Sequence, residues 1–88
     1  MVYLIAYEIE EQLRDYSTLK DCIRGLGDYQ HPMETVWFVR TSRTAQEIVE
    51  QLNTHLHLEH DHLFVMPVEE DSRYKGWMQK ALWKWLRQ

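Results

Sequence analysis

The sequence predicts an α+β domain in which helices pack on one sheet. Three observations carry that reading. β-like runs occupy 2–9, 28–41 and 62–68; helices with recognisable end signals separate them; and His31-Pro32 breaks the middle run in two.

The first run, Val-Tyr-Leu-Ile-Ala-Tyr-Glu-Ile (2–9), sets Val2, Leu4, Ala6 and Glu8 on one face and Tyr3, Ile5, Tyr7 and Ile9 on the other. Both faces are mostly apolar, the pattern of a central strand covered on both sides. A polar loop opens at Glu10-Glu11-Gln12. Asp15 then stands at an N-cap position ahead of Tyr16, Leu19, Ile23 and Leu26 at helical spacing, and Gly27 suits the end of that helix. In 28–41, Asp28-Tyr29-Gln30 and Thr35 to Thr41 read as two strands around His31-Pro32-Met33-Glu34. Pro32 cannot donate to a ladder, so it belongs at an edge, bulge or turn.

Thr44-Ala-Gln-Glu47 matches a capping box, and Ile48, Leu52 and Leu56 continue as a helical stripe. The run from His62 to Val68 ends near Pro67, which suggests an edge strand. After a connector at 73–76, the segment Gly76 to Arg87 reads as a short amphipathic helix. It sets Trp77, Met78, Ala81, Leu82, Trp85 and Leu86 on one half, with Lys80, Lys84 and Arg87 opposite beside Trp83. So many large apolar residues on one face predict a docked helix.

The order β-α-β-β-α-β plus a terminal helix, with right-handed crossovers, predicts a ferredoxin-like sheet with two helices on one face. One long strand over 28–41 would instead give a three-stranded parallel sheet, thin for that architecture. The chain is read as one domain, 1–88. At 88 residues only about 60–65% of the unfolded surface can be buried, which makes dimerisation an economical source of further burial.

The single cysteine, Cys22, excludes an intramolecular disulfide and, beside the stripe of the first helix, reads as a structural thiol. The start lacks the basic stretch of a signal peptide and no apolar run approaches membrane-spanning length, so a cytoplasmic protein with no membrane association is expected. Net charge is −4, against a basic footprint over the whole surface. The charge is lopsided: residues 73–88 hold Arg73, Lys75, Lys80, Lys84 and Arg87 and no acid, while the first 72 residues hold five basic and fourteen acidic side chains. Any DNA or RNA contact would be local to the C-terminal segment.

Several stretches carry a resemblance: Tyr-Leu-Ile-Ala-Tyr-Glu (3–8), Thr-Val-Trp-Phe-Val-Arg-Thr-Ser (35–42), Ala45 with Ile48 and Leu52, Asp61-His-Leu-Phe-Val, and Gly76-Trp77 with Trp85-Leu86. Together they resemble small bacterial proteins labelled as the SinR family. Those are similar in turn to the ferredoxin-fold subunit of the CRISPR spacer-acquisition complex and to the VapD toxin group. The resemblance covers nearly the whole chain through scattered positions. It implies a homodimer joined through sheet or terminal segments. It also implies a metal-dependent nuclease role for an acid at the end of the first strand. The matching position is Glu8, where those families usually carry aspartate. The longer side chain would not set Mg²⁺ in the same place. No helix-turn-helix pattern accompanies the SinR label.

Each candidate has a plain structural reading beside the chemical one. Glu8 is the candidate catalytic residue if two copies bring their carboxylates onto one Mg²⁺; otherwise it is a solvated strand-end acid. His55, His57, His60 and His62 with Asp61 contain metal-ligand types, but not at an established ligand spacing, and a polar connector accounts for them. Trp83 with Lys80, Lys84 and Arg87, extended by Arg40 and Arg43, would stack a base and meet phosphates; a docked helix with a solvated basic face is the plain alternative. Trp77 and Trp85 are the expected dimer-interface residues. The sequence thus predicts a small homodimeric module, nucleic-acid-associated or scaffolding, without robust catalysis. The alternatives are a Mg²⁺-dependent nuclease using Glu8, or a toxin-like or regulatory partner of another protein.

Overall fold

The computed structural model describes residues 1–10, 16–69 and 74–88. Strands β1 (Val2–Glu8), β2 (Asp28–Met33), β3 (Val36–Arg40) and β4 (His62–Val68) form one sheet in the order β2-β3-β1-β4. Every neighbouring pair is antiparallel. With helices α1 (Ser17–Arg24) and α2 (Ala45–Asn53) this is the ferredoxin-like α+β arrangement predicted from the element order, and α3 (Lys80–Leu86) follows it. No helix among the described residues is long and apolar enough to cross a membrane.

The alternation in β1 decides which face is the core. Tyr3, Ile5 and Tyr7 are buried against Trp37 and Val39 of β3, and against Leu19 and Ile23 of α1 and Ile48 and Leu52 of α2. Trp37 is fully buried, and its indole N–H donates to the Tyr7 hydroxyl at 3.2 Å. The His31 ring lies flat on Trp37, centroids 3.6 Å apart. Pro32 sits in β2, an edge strand, where the β2–β3 register shifts between Gln30 and Met33. The missing N–H therefore costs no central ladder bond. The turn itself is at Glu34-Thr35, two residues beyond the proline.

The helix ends differ from expectation in instructive ways. Asp15, the expected N-cap of α1, lies outside the described residues; Tyr16 precedes the helix and supplies no side-chain cap. The helix stops at Arg24, before Gly27. Gly27 has another role: a side chain there would run into the Arg40 carbonyl oxygen, so the residue permits close approach of the chain to the end of β3. The capping box of α2 forms as predicted, with Glu47 N–H to Thr44 Oγ1 at 3.1 Å and Thr44 N–H to Glu47 Oε1 at 3.0 Å. That backbone hydrogen bond from Thr44, with its hydroxyl, holds the Glu47 carboxyl below its ordinary pKa. α2 ends at Asn53, yet Leu56 beyond it still tucks into the core at 8% exposure.

Asp61 fastens three chain segments. Its buried carboxylate accepts from the Tyr16 hydroxyl at 3.0 Å, the Glu10 N–H at 3.1 Å and the His57 N–H at 2.9 Å. It thereby ties the end of β1, the start of α1 and the α2–β4 connection together.

The last helix is shorter than the predicted 76–87. Residues 74–79 are non-helical, and α3 has seven residues, of which Leu82 and Trp85 are buried. Isolated helices of this length are not stable in water, so its position rests on anchoring. Arg40 supplies it: the guanidinium donates to the Trp85 carbonyl at 2.9 Å, lies 4.2 Å above the Trp85 ring and pairs with Asp28 at 3.4 Å. The Trp85 indole N–H donates to the same Asp28 oxygen at 2.9 Å. Asp28 and Arg40 are opposed in the β2–β3 ladder and share a face with Val2, so α3 sits on the second face of the sheet, at the Val2 end.

Two stability predictions follow from these anchors. Asp61→Ala leaves a buried hydroxyl without this acceptor and should cost about 2–3 kcal/mol in urea unfolding, with part regained in Asp61→Ala/Tyr16→Phe; equal stability of Asp61→Ala and wild type contradicts the clamp. Arg40→Lys cannot both stack on Trp85 and fork to its two acceptors. Amide exchange in 80–87 should rise at least several-fold while β1 stays protected, and unchanged exchange contradicts the anchoring.

Candidate functional site

The second face of the sheet is built from the residues that alternate with the core residues along each strand. Val2, Leu4, Ala6 and Glu8 of β1 stand beside Val36, Phe38 and Arg40 of β3 and beside His62, Phe64, Met66 and Val68 of β4. Most of these are apolar, because a central strand flanked by two apolar strands presents hydrocarbon on both sides. α3 covers only the Val2 end. The rest is open: Phe64 is 57% exposed, Met66 43% and Met33 49%.

Between α3 and the sheet runs a groove of about 620 Å³, lined by Leu4, Phe38 and Met66 below and by Trp77, Leu82 and Trp83 above. Trp77, expected on the apolar side of a longer helix, lies in the non-helical segment before α3 and is 98% exposed. Among the described residues almost none of its surface is covered. Trp85 is the opposite case, 6% exposed and fastened to Asp28 and Arg40, so its surface is used within the protomer.

The basic residues separate in the same way. Arg40 is committed to α3, and Arg43 donates to the Leu26 carbonyl at 3.0 Å. Neither joins Lys80, Lys84 and Arg87, which are exposed along α3. Trp83 is half-buried and stacks parallel to Tyr74, centroids 5.9 Å apart with 4° between planes. Tyr74 and the adjacent Lys75 are not among the residues that spacing alone suggests; the contact pairs positions nine apart across a non-helical segment, which periodicity does not register.

Glu8 is exposed at the far end of the open face, opposite His62 in the β1–β4 register. No group of three or more His, Cys, Asp or Glu side chains able to hold a cation occurs among the described residues. The histidines do not converge either. His57 and His60 stack at 4.5 Å, His60 meets Glu10 at 3.3 Å, and His62 stands apart on β4. Cys22 is half-buried against the core, as a structural thiol would be.

No family model matches the chain, and no curated protein matches it. Among solved structures it is similar to the crystal structure of a hypothetical protein, TT1823, from Thermus thermophilus, with a TM-score of 0.65 and 20% sequence identity over 89% of this chain and 93% of that one. At that identity the likeness concerns the fold: both are small α+β domains of the same architecture.

Proposed function

We propose that the protein is a homodimeric scaffolding module without catalysis of its own, and that two copies join through the open face of the sheet. The observation that carries this reading is the half-covered face: α3 stands above one end, and Phe64, Met66 and Met33 lie bare toward the other, with Trp77 projecting beside them. An exposed apolar patch of this extent on a small acidic domain is a feature of association surfaces.

Shape and charge favour one geometry. A two-fold axis in the plane of contact, running across the strands, lays the α3 end of one copy over the bare end of the other. A helix is roughly 10 Å thick with its side chains, so each α3 fills the step left by its partner's uncovered half. The same rotation carries Lys75, Lys80, Lys84 and Arg87 toward the end that bears Glu8, with Glu34 in the neighbouring turn. Opposite charges then meet at both rims. The SinR, CRISPR and VapD resemblance, which implies homodimers, is compatible with self-association but does not specify this face.

The nuclease alternative demands a different dimer. In the face-to-face arrangement the two Glu8 carboxylates lie at opposite ends and share no Mg²⁺.

Sedimentation equilibrium should find a dimer for the wild-type chain. Phe64→Glu, at a solvent-facing position, should give a folded monomer, and Trp77→Ala should weaken dimerisation roughly 30-fold, as for a buried aromatic hot spot; a wild-type chain monomeric at all accessible concentrations defeats the proposal. With Mg²⁺ present, neither wild type nor Glu8→Gln should cleave DNA or RNA. Cleavage by the wild type that Glu8→Gln abolishes would establish the nuclease instead.

A further inference from the structure

We infer that Tyr74 and Trp83 form a stacking shelf for unpaired nucleobases, flanked by Lys75 and Arg87 as phosphate contacts, so that the C-terminal segment is a binding site for single-stranded nucleic acid. The first support is geometric. The two rings are parallel within 4°, Tyr74 is 40% exposed, and a depression of about 310 Å³ beside them is lined by Tyr74, Lys75, Gly76, Trp83 and Arg87. That is the lower end of the range of small-ligand sites, roughly 300–1,000 Å³. Gly76, at φ 156°, lies in the non-helical segment between Tyr74 and α3, and α3 places Lys80 and Arg87 one turn either side of the indole.

The second support is the division of the cations. Elsewhere in the described chain every lysine and arginine side chain is engaged: Lys20 with Glu34, Arg24 with Asp21, Arg40 with Asp28 and Trp85, and Arg43 with the Leu26 carbonyl. Lys75, Lys80, Lys84 and Arg87 are all exposed, and none has an ion-pair partner among the described residues. Four unengaged cations beside two stacked aromatic rings combine the electrostatic and π components by which single strands are held.

The same features select an unpaired strand over a duplex. A ring can stack only on a base whose face is free. The seven residues of α3 rise about 10 Å, a length for two or three nucleotides, and the rest of the surface is predominantly acidic. The site is built from one chain's residues; pairing of the sheet faces would set the same cations against the partner's acids, so strand binding and dimerisation compete.

Fluorescence anisotropy with a labelled oligothymidylate and with a duplex of the same length tests this, using the full chain with its oligomeric state measured in parallel. The single strand should bind more tightly than the duplex. Its affinity should fall with salt at a logarithmic slope of roughly −1.4 to −2.8, for two to four phosphates. Tyr74→Leu and Trp83→Leu should each weaken binding between about 5- and 150-fold, the range of one base–aromatic stack. Because Trp83 also lines the groove, Lys75→Gln/Arg87→Gln, at exposed positions, is the second arm and should weaken binding and flatten the slope. Absence of binding at the lowest salt, equal affinity for duplex, or loss in the lysine–arginine variant with none in either aromatic variant overturns the inference.

Discussion

The arrangement of the whole second face depends on how Arg40 holds a helix too short to hold itself. Its guanidinium stacks on Trp85, donates to the Trp85 carbonyl and pairs with Asp28, which also accepts from the indole N–H. Arginine can do this because a planar cation offers a π-face and a fork of donors at once. Asp28 and Arg40 face each other across two strands that the core already fixes, so the knot inherits the rigidity of the sheet. From that one placement follow the groove beneath α3, the bare half of the sheet beyond it, and the position of Trp83.

The two faces of the sheet therefore have different characters. The helix-covered face is filled by Trp37, Ile5 and the stripes of α1 and α2, with Asp61 clamping the loops at its edge. The other face is equally apolar in composition but only partly roofed. Burial of the first drives folding; the exposure of the second is the basis for proposing self-association. The same short roof leaves the outward side of α3 in water, where unengaged lysines and an aromatic pair stand together.

Much of the fold was legible because local rules and tertiary packing agree. Alternation in 2–8, the Thr44–Glu47 capping box and the proline in the middle run each point to the element that forms, and Pro32 lies on an edge strand as a residue without an N–H must. The misreadings arise where tertiary contacts override periodicity. Trp77 and Met78 continue an apolar helical pattern, yet α3 begins only at Lys80, because Leu82 and Trp85 are the residues the sheet can seat. Gly27 looks like a helix terminator and instead makes room beside β3. Arg40 and Arg43 read as members of a basic patch; the structure commits both to acceptors more than ten residues distant in sequence, which composition cannot reveal. The Tyr74–Trp83 pair was hidden for the same reason, and Asp61, lost among neighbouring histidines, proved a hub of hydrogen bonds.

The central claim is that a half-roofed sheet face is completed by the same face of another copy, turned end for end. Isotope-filtered NOE spectroscopy on a mixture of labelled and unlabelled chains reads that directly. Cross-chain NOEs should connect protons of α3 at the Val2 end, foremost those of Leu86, with Phe64 toward the far end of the sheet. Cross-chain NOEs confined to the outer edges of β2 or β4, with the Trp77 and Phe64 rings seeing only solvent, would contradict it.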